Sequence, residues 1–198
     1  MHPNPLFRST DRAQLARLVD DIGFASIFLA TPDGPRVAHA PVITEGDDGF
    51  LFHLSRGNAL SAHLDGAHAL MVVNGPHGYV SPRWYADRAT VPTWDYVAVE
   101  IEGTVSRLSD EALEAQLHRL IERSEARIAG AHWDAGESPD DLWARLFRGI
   151  AGFRMDAREW RPTLKLSQKR SEDERVTIAD GIERGGNAPL ARLMRSAA

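Results

Sequence analysis

The stretch Tyr96-Val97-Ala98-Val99-Glu100-Ile101-Glu102-Gly103-Thr104-Val105 decides the fold class. Its apolar residues recur with the period of two that a half-buried strand requires, so Val97, Val99, Ile101 and Val105 share one face. Gly103 interrupts that face and reads as a candidate bulge. Working outward, residues 24–31 and 36–44 form a hairpin around Pro32-Asp33-Gly34, and residues 50–55 return from the turn Glu45-Gly46-Asp47-Asp48-Gly49. Pro41 inside the second strand marks an edge or a bulge. An apolar run over 68–74 and an alternation over 150–157 bring the total to roughly six strands, and short strands in hairpin order favour an antiparallel sheet or barrel.

Helical periods lie between and beyond these strands. Ser9 or Asp11 caps a first helix that stops at Gly23, and a short helix is expected over 59–64. Ser109, with Asp110 and Glu111 behind it, opens a helix whose Leu113, Leu117, Leu120, Ile121 and Ile128 are expected to mark one face. Another follows Ser138-Pro139. Ser171 with Glu174 is a capping box for a helix that ends at Gly185-Gly186, and Pro189 stands near the start of a last short one. The expectation is a single domain over 1–198, mainly β with peripheral helices (α+β), carrying a helical insertion at about 109–148 and a helical tail at about 171–198.

Composition narrows the function. Hydrophobic residues at 43% and charged residues at 26% of 198 exclude a disordered or fibrous chain. Without cysteine there is no disulfide, thiol nucleophile, iron–sulfur cluster or thiolate zinc site. The start Met1-His2-Pro3-Asn4-Pro5 has no basic or apolar leader and no apolar run reaches spanning length, so a cytoplasmic protein without a membrane partner is expected. A net charge of −5 opposes direct binding to DNA, which needs a basic face. The eight histidines show no metal-ligand spacing, so no metal is expected; His39 and His53 stand on strands close enough in sequence to meet across the sheet.

Two segments carry ligand chemistry. Gly75-Pro76-His77-Gly78-Tyr79-Val80-Ser81-Pro82-Arg83-Trp84-Tyr85, continued by Val91-Pro92-Thr93-Trp94-Asp95-Tyr96, packs Trp and Tyr rings, hydroxyls and an Arg among three prolines. Such a stretch is expected to form a rigid loop whose aromatic wall suits a planar heteroaromatic ligand, or one that plugs the end of a barrel. His53-Leu54-Ser55-Arg56-Gly57-Asn58 ends a strand at an expected helix start, where backbone N–H groups and a guanidinium suit a phosphate; Asn58 as a simple cap and Arg56 as a solvated charge is the plainer alternative.

These two segments, with Lys165-Leu166-Ser167-Gln168-Lys169-Arg170 and the opening Met1-His2-Pro3-Asn4-Pro5, resemble the PaiB family of FMN-binding negative transcriptional regulators. The resemblance implies a six-stranded antiparallel split β-barrel like that of pyridoxine 5′-phosphate oxidase, working as a homodimer with FMN at the subunit interface. For such a cofactor, residue chemistry suits Ser55, Arg56 and Asn58 to the flavin phosphate, Ser81, Trp84, Thr93 and Trp94 to the ring system, and Lys165, Ser167 and Gln168 to the phosphate or ribityl chain from the same or the partner subunit. Asp95 and Lys169 stand where that family usually has Asn, a change that exchanges an amide donor for a carboxyl at the first position. Three readings follow: a regulator that acts without direct DNA readout, through a partner or a small-molecule effector; a flavin-dependent oxidoreductase with a small-molecule substrate; or a barrel that has lost its flavin. Haem is the alternative ligand in related barrels, and no side chain presents itself as a catalytic nucleophile.

Overall fold

The strands form where alternation and hairpin turns coincide, and they are longer than the alternation alone indicates. The computed structural model describes residues 2–197. It contains β1 (Phe24–Thr31), β2 (Gly34–Glu45), β3 (Gly49–Ser55), β4 (His68–Val80), β5 (Thr93–Arg107) and β6 (Ile150–Lys165). The helices are α1 (Arg12–Ile22), α2 (Asp110–Glu125), α3 (Asp140–Phe147), α4 (Glu172–Arg184) and α5 (Ala188–Ser196). The six strands close into a barrel in the order β1-β2-β3-β6-β5-β4, and every register given below is antiparallel. No helix among the described residues is long and apolar enough to cross a membrane.

By contact density the chain separates into two units, one of residues 2–15, 74–100 and 161–197, the other of 16–73 and 101–160. The second unit holds β1, β2, β3 and one end each of β4, β5 and β6. Phe28 pairs with Val37 between β1 and β2, Val42 with Phe52 between β2 and β3, and Phe52 with Phe153 between β3 and β6. Its core is the inward row: Ile27, Phe50, Phe52, Met71, Ile101, Phe153 and Met155 are all fully buried, and the Phe52 and Phe153 rings stack at 5.6 Å. Helix α2, capped by Ser109, adds buried Leu113 and Gln116. Arg123 of α2 binds Asp20 and donates to the Val42 carbonyl at 3.1 Å. Gly103 keeps the alternation of β5 unbroken rather than bulging, because a Cβ there would collide with the Asp156 carbonyl of β6.

The first unit holds the other ends of β4, β5 and β6 together with α4 and α5. Asn187 caps α5 by accepting from Leu190 N and donates its amide to the His77 carbonyl of β4 at 2.9 Å. Trp84, in a short 3-10 turn (Pro82–Trp84), lies over Gly181 of α4, where any larger residue would meet the indole.

Four expectations change here. The first concerns α2, which ends at Glu125 and leaves Ile128 exposed beyond it. Residues 75–80 continue β4 as strand instead of forming a loop; Pro76 is tolerated because it stands beyond the residues of β4 registered with β1, which end at Val72. Residues 59–64 form no helix but successive turns, each closed by an i to i+3 bond such as Ser61 N to Asn58 O at 3.0 Å. His39 and His53 do not meet: His39 pairs with Ser26, and His53 with Gln116 at 3.4 Å.

Candidate functional site

Within the first unit, the segment 85–95 and the turn 165–170 face one another across a cavity of about 550 Å³, inside the range of about 300–1,000 Å³ that small-molecule sites occupy. The lining is Tyr85, Thr90, Val91, Pro92, Thr93 and Asp95 from one side, Lys165, Ser167, Lys169 and Arg170 from the other, and His2 and Phe7 from the N-terminal segment. The rigidity of the walls follows from their bonds. Lys165, at the end of β6, donates to Thr93 Oγ1 and, at 2.5 Å, to the Trp94 carbonyl. Gln168 folds back on its own turn, accepting from Leu166 N at 2.8 Å and donating to the Leu164 carbonyl. Arg170 lies 4.0 Å above the centre of the Tyr85 ring and pairs with Glu174 of α4, whose carboxylate also accepts from Ala86 N.

Asp95 is the unusual member. It takes an inward position of β5 and is fully buried. The Ser167 hydroxyl donates to Oδ2 at 2.6 Å; Oδ1 has no hydrogen-bond partner, and Lys165 Nζ stands 3.6 Å from it. Burial raises the Asp95 pKa above the ordinary carboxylate range, and the Ser167 bond and the Lys165 charge only partly oppose it. Ser167 reaches its position with φ at 60°, the one non-glycine residue of left-handed φ among those described. Burial also raises the pKa of Tyr85, against the pull of Arg170.

The ten residues singled out from sequence therefore divide. Thr93, Lys165 and Ser167 line the cavity, and Gln168 braces its turn. Trp94 is 51% exposed, its ring stacked on His77 at 5.9 Å and its indole N–H donated to His77 Nδ1 at 3.2 Å. Ser81 is buried as the cap of the 3-10 turn, and Trp84 is committed to α4. Ser55, Arg56 and Asn58 belong to the other unit. There Arg56 N is bound to the Gly149 carbonyl, Gly57 N to Ser55 Oγ and Asn58 N to the Ser55 carbonyl. Without a helix start and with these N–H groups spent, that corner keeps the Arg56 guanidinium, the Asn58 amide and the Ser55 hydroxyl for an anion. The cavity residues left outside the ten are His2, Phe7, Tyr85, Thr90, Val91, Pro92, Asp95, Lys169 and Arg170. All but Phe7 and Thr90 stand in the quoted segments, which was the available signal.

The residues present fit a flavin mononucleotide. Lys165, Lys169 and Arg170 bring three cationic groups to the cavity lining, suited to a phosphate. Tyr85, Val91 and Pro92 give apolar surface, while Thr93, Ser167 and the unpartnered Asp95 oxygen offer hydrogen-bonding groups to a heterocycle edge.

Comparison with known proteins agrees with that chemistry. The model of the family described as a putative FMN-binding domain matches residues 1–159. The chain is 29% identical over 193 residues to the protease synthase and sporulation protein PAI 2 of Bacillus subtilis, covering 95% of this chain and 91% of that protein. In fold it resembles the FAD- and haem-binding protein of Mycobacterium smegmatis, with a TM-score of 0.61 at 20% identity over 85% of this chain and 78% of the other. It also resembles the flavocytochrome Anf3 of Azotobacter vinelandii, with a TM-score of 0.64 at 17% identity over 88% and 77%. The chain is a PaiB-like split-barrel protein of the putative FMN-binding domain family, and FMN is the cofactor of that family.

Proposed function

We propose that the chain binds FMN in the cavity between residues 85–95 and 165–170, and that it works as a cytoplasmic homodimer whose regulatory role runs through a partner or a small-molecule effector rather than direct DNA readout. The observation that carries the reading is the cavity itself, with three cationic side chains, three aliphatic hydroxyls, a phenol and a buried carboxyl in a family of FMN-binding domains. Bound there, FMN would supply hydride and electron transfer. The chain's own residues would do the rest: Lys169 and Arg170 hold the phosphate, Thr93 and Ser167 orient the polar edge, and Tyr85 and Pro92 exclude water from the ring. Ser55, Arg56 and Asn58 keep a proposed role as a separate anion cradle, and Trp94 and Trp84 a role beside the ring system.

The outer face of the β1–β2 hairpin supports the dimer. Phe24, Phe28 and Val37 are 53%, 40% and 42% exposed, and Phe28 stands opposite both Val37 and Leu70. An apolar strip of this kind is best removed from water by a second copy. The net charge of −5 supports indirect regulation. Sequence-specific, salt-dependent DNA binding by the purified protein would overturn that part of the reading.

The test is a flavin titration of purified protein. Saturable quenching of FMN fluorescence, with the two flavin absorption bands retained on gel filtration, is expected; a Soret band would transfer the site to haem, and colourless protein that never takes up FMN would leave only the barrel. The second reading, an oxidoreductase, is favoured by the buried carboxyl at the cavity, whose pKa burial raises. Anaerobic bleaching of bound flavin by NADH or NADPH separates it from a sensory role.

A further inference from the structure

Asp95 stands on the inward row of β5, where the other members are Val97, Val99, Ile101, Gly103 and Val105. A carboxyl there is a departure that the barrel does not need, and its surroundings are built around it. Ser167 adopts a left-handed backbone and gives its hydroxyl to Oδ2. Lys165 is 3.6 Å from Oδ1, yet its bonds go to Thr93 and to the Trp94 carbonyl. Oδ1 lacks a hydrogen-bond partner although the residue lines the cavity. A fully buried carboxylate ordinarily gathers several donors; this one has a single short bond, from the Ser167 hydroxyl, and a lysine ammonium at 3.6 Å that also bonds Thr93 and the Trp94 carbonyl.

We infer that Asp95 works in its neutral, protonated form as a hydrogen-bond donor to an acceptor atom of the molecule in the cavity, so that binding of that molecule is linked to one proton on Asp95. The inference rests on the reading of the cavity as the flavin site. A neutral carboxyl can donate as an asparagine amide would, so a protonated Asp95 keeps a donor at this point of the cavity. Burial favours the proton, and the Ser167 bond and the neighbouring Lys165 oppose it only in part. The other titratable or charged groups facing the cavity are Lys165 on β6, Lys169 and Arg170 on the turn after it, Tyr85 on the opposite wall and His2 on the N-terminal segment, with Glu174 of α4 beside Arg170.

The sign follows from the proton. Below the Asp95 pKa the donor is in place; above it a buried carboxylate faces the carbonyl oxygens or the phosphate of the flavin, and affinity falls. The experiment compares wild type with Asp95→Asn, titrating FMN and riboflavin by fluorescence quenching across about pH 5 to 9. Riboflavin is included because the FMN phosphate titrates on its own near about pH 6. For wild type, Kd for both flavins should rise with pH, approaching about tenfold per pH unit above the Asp95 pKa. For Asp95→Asn it should stay level and be the tighter of the two at the alkaline end. A dependence seen with FMN but not riboflavin would assign the proton to the phosphate, and one that persists in Asp95→Asn would assign it to another group such as His2; either overturns the inference. Level affinity in wild type overturns it too, while failure of both proteins to take up flavin overturns the site reading with it. Should Asp95→Asn not fold, the infrared carbonyl band of a protonated acid decides: the band should grow when flavin is added to wild type above the Asp95 pKa, and no change contradicts the assignment.

Discussion

The two ends of β5 obey different rules although one strand carries both. From Val97 to Val105 the inward row holds branched aliphatic residues and one glycine, each placed by packing against the barrel interior or by the close passage of β6. At the other end the same row finishes on Asp95, with Lys165 and Ser167 arranged about it. Local pattern and packing agree along the first part; at the second, a polar group sits where the pattern asks for an apolar one, and a strained serine backbone accompanies it. Sequences that fold well keep such conflicts for places where function demands them. The contrast therefore separates a part of the strand that holds the fold from a part that holds a ligand.

That contrast can be broken at either end. The largest effect is expected in the barrel: Phe153→Ala removes a fully buried ring stacked on Phe52 and should cost about 3–5 kcal/mol, read from urea unfolding. Gly103→Val should cost about 1–3 kcal/mol, since its Cβ meets the Asp156 carbonyl and β6 must shift. Near-neutral values for either would mean that the barrel end is as adaptable as the ligand end.

At the ligand end stability should depend on pH in a direction opposite to that of a salt-bridged aspartate. Because burial raises the Asp95 pKa in the folded state, its contribution is complete below the unfolded value of about 3.9 and is lost as pH rises through the folded pKa. Unfolding of the flavin-free protein followed from acid to neutral pH should show wild type losing stability relative to Asp95→Asn, by up to about 1.4 kcal/mol per pH unit between the unfolded value and the folded pKa and by no more above it. A wild type that gains on the variant as pH rises would show that Lys165 holds Asp95 as an ion pair. A smaller effect, about 1 kcal/mol, is expected for Asn187→Ala, which removes the α5 cap and its bond to the His77 carbonyl and is measurable as a fall in Tm.

How far the sequence carried this reading varies along the chain. All six strands were legible, since alternation and turn residues reported them directly. Their ends were not: Pro76, Gly78 and the aromatic run suggested a loop, but pairing in a closed barrel extends β4 to Val80, β5 back to Thr93 and β6 on to Lys165. The turns at 59–64 looked helical because their leucines repeat at a helical interval, though each bond closes at i+3. At the site, both cavity walls lay in segments recognisable as ligand-binding, yet which side chains face inward depends on the turn at Ser167 and on the stacking of Arg170 over Tyr85. Trp84 appears suited to a flavin by type; the notch at Gly181, about a hundred residues away, commits it to α4. Asp95 could be marked as a departure, but its burial comes only with the fold.

The most direct test of the central claim is the affinity for FMN of wild type against the double variant Lys169→Ala/Arg170→Ala, by fluorescence titration at fixed ionic strength. Loss of two charge-assisted contacts should weaken binding by at least about tenfold while the Tm of the barrel changes little. Equal affinity in the two proteins would contradict the account and place the flavin somewhere other than the cavity between residues 85–95 and 165–170.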